Sequence, residues 1–340
     1  MENEERLQDR IGEYLIPKTD DYLFDELSDN YLEKAGIADI LTGVPIPINK
    51  AEMSGLSTLV IAKNMAFIIG CDINFKYRDN YVAYITRTFS KDFAKPLISE
   101  GVTAATNKKY ETACVMFRAA ILIDTDSKEA YYCYGRACKD AYENGEGEEY
   151  VGRFKAESLE AFEKTTLKGP DFDMGYYFLG FAYLNMGLYI KAKLTWDSFM
   201  ELSKDDELKK EVGGFLVKLV EPCKIEEGYN AVLSGRFESG IDILEVYETD
   251  SRFNTWWPLW YYLGTAYMGL DDIDNAESHF LQVLKYSPSN TDTMQELVEI
   301  YKQKGDTEKV EKYEKKIEIV GENAARDREE KQAGMMPGLS

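Results

Sequence analysis

The stretch Trp260-Tyr-Tyr-Leu-Gly-Thr-Ala-Tyr-Met-Gly-Leu-Asp-Asp-Ile-Asp-Asn-Ala-Glu-Ser-His-Phe-Leu-Gln-Val-Leu-Lys-Tyr-Ser-Pro288 decides how the chain is read. Trp260, Leu263 and Tyr267 recur at helical spacing and make one apolar stripe on a first helix. Gly264 and Ala276 are small, which lets two helices cross closely. Phe280 fills the space between this pair of helices and the next. Pro288 lacks the amide hydrogen a helix needs and stops the second helix. The acidic run Asp271–Asn275 falls where the turn belongs, and Asp or Asn there caps the helix that follows. The stretch therefore reads as a helix hairpin.

Working outward, the same pattern returns. Tyr176, Leu179, Gly180 and Tyr183 precede a turn at Gly187, then Ala192 and Trp196. Gly101 is followed by Ala113, Phe117 and Ala120. Tyr131, Tyr134 and Gly135 begin a unit completed by Ser158, Phe162 and Pro170. Gly228, Ala231 and Gly235 begin another that continues through Gly240, Leu244 and Tyr247. A weaker, more charged unit with Leu297, Val298, Tyr301, Gly305, Val310 and Ile317 comes last, as suits a terminal cap whose outer face must be wet. Gly101 to Gly135, Gly180 to Gly214 and Gly264 to Val298 are each about 34 residues apart. Six units in near-constant phase closely resemble the tetratricopeptide-repeat family over residues 94–324. The resemblance implies an all-α fold, a right-handed α-α superhelix of about six hairpins.

Two departures from the period are expected to matter. Gly135 to Gly180 is about eleven residues too long, and the excess, about 142–154, is rich in glycine and glutamate. It reads as a loop between the two helices of the second unit, either a tolerated insertion or an acidic lip. Asp206–Val220 reads as an extra helix that ends before Pro222. Residues 1–93 lack the repeat and read as a helical region. Within them, Asp9–Leu15 and Asp20–Ala35 are expected as short amphipathic helices, the latter with Tyr22, Leu23, Leu27, Tyr31 and Leu32 on one side. Lys50–Gly70 and Arg78–Phe93 read as two further helices. The segment 43–48 is extended because its two prolines forbid helix. This region either caps the first unit or carries a separate partner-binding segment, for which Val44–Ile48 is the candidate. The tail, 325–340, is expected to extend the last helix and then fray.

The 340 residues are many for one compact core, so two domains or an elongated array are expected. With 40 basic and 61 acidic residues, the net charge of −21 repels phosphate backbones. Nucleic acid is therefore not expected as the ligand, and basic partners are weakly favoured. The acidic start does not resemble a secretory signal, and the most apolar stretch, Leu56–Cys71, carries Lys63 and Asn64 and is short for a bilayer. The expectation is a cytoplasmic chain without membrane insertion. Five cysteines without a Cys-x-x-Cys pair read as buried free thiols.

No phosphate-binding glycine loop is present. His279 is the single histidine, so a triad or zinc site lacks ligands, and it is expected as a surface helix residue. Asp271–Asn275 and Asp124–Asp126 do not continue as calcium loops. Neither an enzyme, a cofactor nor a metal is expected.

The family resemblance implies a concave surface lined by the first helix of each pair, where a peptide or partner segment lies. By that resemblance the groove positions are Tyr132, Arg136 and Lys139, then Tyr177, Phe181, Leu184 and Asn185, then Tyr261, Thr265 and Met268. The set is aromatic and apolar with a small basic group. One subfamily grips the terminal carboxylate of heat-shock chaperones with lysine, asparagine and arginine. The corresponding Ile98, Val102 and Cys133 are apolar, so that grip is not expected. The leading expectation is a protein- or peptide-binding scaffold or adaptor. An assembly or secretion chaperone for a client subunit comes next, and a peptide-sensing regulator ranks below it, since residues 1–93 are acidic. Oligomeric state is not legible.

Overall fold

The structure, a computed structural model, describes residues 7–51 and 57–334. The chain divides into two compact units between Gly214 and Phe215. In chain order the first unit opens with helix α1 (Gly12–Leu15) and strand β1 (Tyr22–Asp25). Helices α2 (Asp29–Ala35) and α3 (Ala38–Leu41), strand β2 (Ile46–Asn49), and helices α4 (Thr58–Cys71) and α5 (Arg78–Phe89) follow. Three hairpins come next: α6 (Ala94–Thr106) with α7 (Tyr110–Ile123), α8 (Lys128–Asn144) with α9 (Glu148–Lys168), and α10 (Asp173–Asn185) with α11 (Tyr189–Leu202). Helix α12 (Asp206–Lys218) carries the chain past the division. The second unit holds α13 (Val220–Leu233) with α14 (Phe237–Leu244), α15 (Trp257–Gly269) with α16 (Ile273–Tyr286), and α17 (Thr291–Lys304) with α18 (Thr307–Gly334). The fold is all-α, with six helix hairpins and one short two-stranded ribbon among the described residues.

One contact recurs and explains the sequence pattern. Gly101, Gly180, Gly228 and Gly264 lie in first helices, and the residue sixteen positions on lies in the second helix directly against each. A Cβ at these glycines would meet Phe117, Trp196, Leu244 and Phe280 at 2.6, 2.1, 2.6 and 2.8 Å. Gly135 faces Phe162 in the same way, with the extra residues in between. The large side chain keys into the bare backbone, so the glycine is a steric requirement of close helix crossing.

That contact also shows which glycine marks the fourth hairpin, the count of six and the extra helix near 206–220 being as expected. Gly214 lies at the family spacing from Gly180, yet a Cβ there would meet nothing. It sits within α12, and Gly228 holds the keyed position instead. Pro222 lies in the first turn of α13, where its missing amide hydrogen costs nothing. The expected loop at 142–154 is corrected as well. Only Gly145–Gly147 separate the helices, and the additional residues lengthen α8 to 17 and α9 to 21 residues.

The N-terminal region departs most from expectation. Asp20–Ala35 is not one helix: Tyr22–Asp25 is a strand paired antiparallel with Ile46–Asn49. The prolines make 46–49 extended, and an extended segment needs a partner for its backbone groups. Asn64 Nδ2 donates to the Pro47 carbonyl at 3.1 Å, and the Tyr81 hydroxyl donates to that of Pro45 at 2.6 Å. Val44 and Ile46 are buried, so the stretch suspected of binding partners lies in the core of this region. Part of Lys50–Gly70, residues 52–56, lies outside the described residues.

Helix α4 is apolar nearly all round because it is the centre of that core, touching β2, α5 and α7. At Gly70 it meets α7 so closely that a Cβ would stand 2.2 Å from the Val115 carbonyl oxygen. Backbone cannot rotate away as a side chain can. Gly70→Ala is therefore expected to cost near the upper end of the ~1–3 kcal/mol typical of overpacking, read as a lowered urea midpoint. An unchanged midpoint would refute this packing of α4 on α7.

Residues 7–18 run across the second helices of the first two hairpins. Ile11 and Leu15 are fully buried with Cys114, Phe117, Cys138 and Phe154. Arg10 Nη1 bridges Glu157 and Glu160 at 3.1 and 2.6 Å, and Tyr14 packs edge-on against Tyr150 at 4.9 Å.

Candidate functional site

Tyr132, Arg136 and Lys139 stand on one face of α8 at helical spacings of four and three. Tyr177, Phe181 and Leu184 repeat those spacings on α10, as do Tyr261, Thr265 and Met268 on α15. In each helix the first of the three lies three residues before the keyed glycine.

In the first unit the rings form a continuous series. Tyr132 meets Phe178 edge-on at 5.7 Å, Phe178 meets Tyr177 at 5.1 Å, and Tyr177 meets Phe181 at 5.0 Å. Phe172 closes the near end against Tyr132 at 5.1 Å. The Arg136 guanidinium lies 4.8 Å from the Phe178 ring and 5.8 Å from that of Tyr132, and its Nη1 donates to the Tyr132 hydroxyl at 3.2 Å. Arginine on an aromatic face gains cation–π attraction while its outer hydrogens stay available. Arg136 itself is exposed. Lys139 pairs with Glu143 one turn on.

The structure divides the expected set by depth. Arg136 is exposed, and Tyr132 beside it is half-buried. Tyr177 and Phe181 are half-buried and pack on Phe199 and Trp196 of α11 at 5.4 and 4.9 Å. The Tyr177 hydroxyl donates to Glu211 of α12 at 3.0 Å. Burial, and then the bond to that carboxylate, push it up to about 12. Asn185 lies at the seam with the preceding hairpin, its carbonyl accepting from Lys155 Nζ at 3.0 Å and its side chain bonded to Tyr142. Leu184 is half-buried beside it. Phe172, Phe178 and Glu211 were not expected. Phe178 follows Tyr177 directly, so its position on the seam could have been read from helical geometry. Nothing in the sequence around Glu211 says that it meets Tyr177 of α10.

Tyr261, Thr265 and Met268 belong to the second unit and form their own cluster. Tyr261 meets Trp257, Tyr262 and Phe280 at 6.3, 5.9 and 5.8 Å. The Thr265 hydroxyl is spent on the Tyr261 carbonyl at 2.9 Å. Met268 packs against the buried residues of the last hairpin. Tyr262 stacks on Tyr229 of α13 at 4.9 Å.

His279 is not a surface residue. It is 9% exposed, between Tyr267 at 4.9 Å and Trp260 at 5.8 Å. Its Nδ1 lies 2.7 Å from the Asn275 carbonyl, which can only accept, and its Nε2 lies 3.1 Å from Glu248. The ring thus ties α16 to the turn after α14. His279→Ala is expected to lower the stability of the second unit by about 2 kcal/mol through a lost buried hydrogen-bond pair and a cavity, measured by urea unfolding; a change below 0.5 kcal/mol would show the latch to be idle.

Cys71, Cys114, Cys138 and Cys223 are buried and Cys133 is half-buried. Burial raises the Cys71 thiol to about 12 and that of Cys133 to about 11, which keeps both protonated near neutrality and poor as nucleophiles. Among the described residues, no three His, Cys, Asp or Glu side chains are grouped to hold a metal ion, and no helix is long and apolar enough to cross a membrane. A cavity of about 290 Å³ opens beneath Leu7 and Asp9, lined by Arg118, Tyr134, Glu157 and Lys164.

Stacked helix hairpins keyed by a small residue in the first helix and a large one in the second define a class of helical-repeat proteins, generally interaction modules rather than enzymes. Residues 258–290 match the family model of the tetratricopeptide repeat, and the same keyed contact recurs in the neighbouring hairpins. The hairpin of α15 and α16 is thus a tetratricopeptide repeat. No curated protein matches the chain's sequence. Among solved structures the chain is similar to MamA of Desulfovibrio magneticus RS-1 (14% identity, 56% of this chain and 96% of that one, TM-score 0.32). It is similar also to YrrB, described as a TPR protein with an unusual peptide-binding site (16%, 63% and 96%, TM-score 0.32). A third is the APC/C hetero-tetramer Cut9–Hcn1 (15%, 86% and 56%, TM-score 0.32).

Proposed function

We propose that this chain is a cytoplasmic protein- or peptide-binding scaffold or adaptor that holds a partner segment on the aromatic faces of its first helices. The observation that carries this reading is the ring series Tyr132–Phe178–Tyr177–Phe181 with the exposed Arg136 lying on it. Aromatic rings and arginine dominate binding energy at protein interfaces because they offer large contact area and directed hydrogen bonds at small entropic cost. The half-buried Tyr177 and Phe181 brace the series, and Tyr132 and Arg136 make the contact.

The test is affinity capture with the full-length chain as bait, the recovered proteins identified by mass spectrometry. Arg136→Glu with Tyr132→Ala alters the face without touching a keyed contact, so the fold is retained, as circular dichroism will check. At least a tenfold drop in recovery of the main partner is expected, corresponding to about 1.4 kcal/mol or more. Full recovery by a folded double variant would remove this face from the binding surface.

A further inference from the structure

The second unit offers a face of different chemistry. Tyr229 of α13 stacks on Tyr262 of α15, and Tyr262 touches Tyr261, which in turn meets Trp257. Trp257 is 37% exposed. At the α17 side of this shelf stand Glu296 and Asp292. Their charges act on Tyr261, whose hydroxyl is raised by burial first and then by these two carboxylates. Glu296 is half-buried, and burial, then Glu299 and Asp292, raise its own carboxyl above the ordinary range. The lysines of α17 are committed elsewhere: Lys302 to Glu299, and Lys304 to Asp274 and Glu277. Among the described residues Glu296 has no hydrogen-bond or ion-pair partner.

Resting on the reading of the first-helix faces as partner surfaces, we propose that this face of the second unit seats a lysine or arginine side chain of an extended partner segment, over the Tyr261–Tyr262 shelf and against the Glu296 carboxylate. A half-dehydrated carboxylate crowded by like charge is costly when unliganded. A cation supplied by the partner relieves that cost and gains the attraction of the tyrosine and tryptophan faces. An anionic residue at the same place meets the opposite outcome. In the first unit the chain's own Arg136 lies on the ring series, so the two faces offer different chemistry.

Fluorescein-labelled Ala-Leu-Lys-Leu-Ala peptide, with counterparts carrying norleucine or glutamate in place of lysine, tests this by fluorescence anisotropy against the full chain at fixed salt. The lysine peptide is expected to bind at least tenfold more tightly than the norleucine one, and the glutamate peptide more weakly than both. Glu296→Gln is nearly isosteric and should remove most of that difference. Glu238→Gln, an exposed acid on α14, should leave it intact. Equal weakening by the two variants would show bulk attraction to an acidic chain and overturn the proposal. Equal binding of lysine and norleucine peptides, both lost in Tyr262→Ala, would also overturn it while leaving the face as a peptide surface. Absence of binding by all three peptides overturns it too, and the reading of the first-helix faces then stands or falls on the capture experiment alone.

Discussion

Asp9→Ala is expected to destabilise the first unit by about 3–5 kcal/mol, the cost of stranding a buried charge. The Arg118 side chain is 4% exposed, and its Nη2 donates to Asp9 Oδ2 at 2.6 Å. Its Nη1 has no partner, so the guanidinium is already incompletely satisfied, and Asp9 is its one ion-pair partner among the described residues. Removing that carboxylate leaves a buried cation without an ion-pair partner, with only the more distant charge of Glu157 acting on it. The paired replacement Asp9→Leu with Arg118→Met removes both charges and should cost far less than Asp9→Ala alone, because apolar groups of similar volume replace the ion pair at little net loss. Urea unfolding followed by circular dichroism on the two single variants and the double variant gives the coupling. A loss below about 1 kcal/mol for Asp9→Ala would show that residues 7–18 do not hold Arg118 as the structure has it.

Trp196→Ala should cost a similar ~3–5 kcal/mol, the range for deleting a large aromatic from a core. The indole is fully buried, its Nε1 donates to the Tyr177 carbonyl at 3.1 Å, and it supports Phe181 at 4.9 Å. Its partner in the keyed contact makes the argument reciprocal. In Gly180→Ala the new methyl would stand 2.1 Å from the indole nitrogen, so the methyl or the ring must move, with an expected loss of several kcal/mol. Trp196→Leu should partly rescue Gly180→Ala while being destabilising in the native background. Additive losses in that pair would mean that glycine and indole do not meet.

The aromatic series that carries the proposed function depends on this same contact. Tyr177 and Phe181 are positioned by α11 through Trp196 and Phe199, so Trp196→Ala should weaken partner capture as well as stability. Arg136→Glu should weaken capture alone. The two variants thus separate the bracing of the face from its contact surface.

The hairpins were legible because everything that makes them is local. A glycine and a large residue sixteen positions apart, a turn between them and an apolar stripe at helical spacing are all visible along the chain, and each acts within two adjacent helices. The positions of Tyr132, Arg136, Tyr177 and Tyr261 follow from the same phase. What was not legible depends on residues far apart in sequence. Gly214 keeps the period but has no large residue against it, and only packing reveals that Gly228, not Gly214, holds the keyed position beyond the extra helix α12. Tyr22–Asp25 has the spacing of an amphipathic helix, and becomes a strand because Ile46–Asn49, extended by its prolines, needs a hydrogen-bonding neighbour. The stretch 142–154 reads as loop, yet α8 runs to Asn144 and α9 starts at Glu148, where Tyr150 and Phe154 gain a surface on Tyr14. Local pattern settles which helices pair. Burial shared between distant segments, through Asp9 with Arg118, Glu211 with Tyr177 and Glu248 with His279, settles what lies on them, since the free energy of those contacts exists only once the chain has folded.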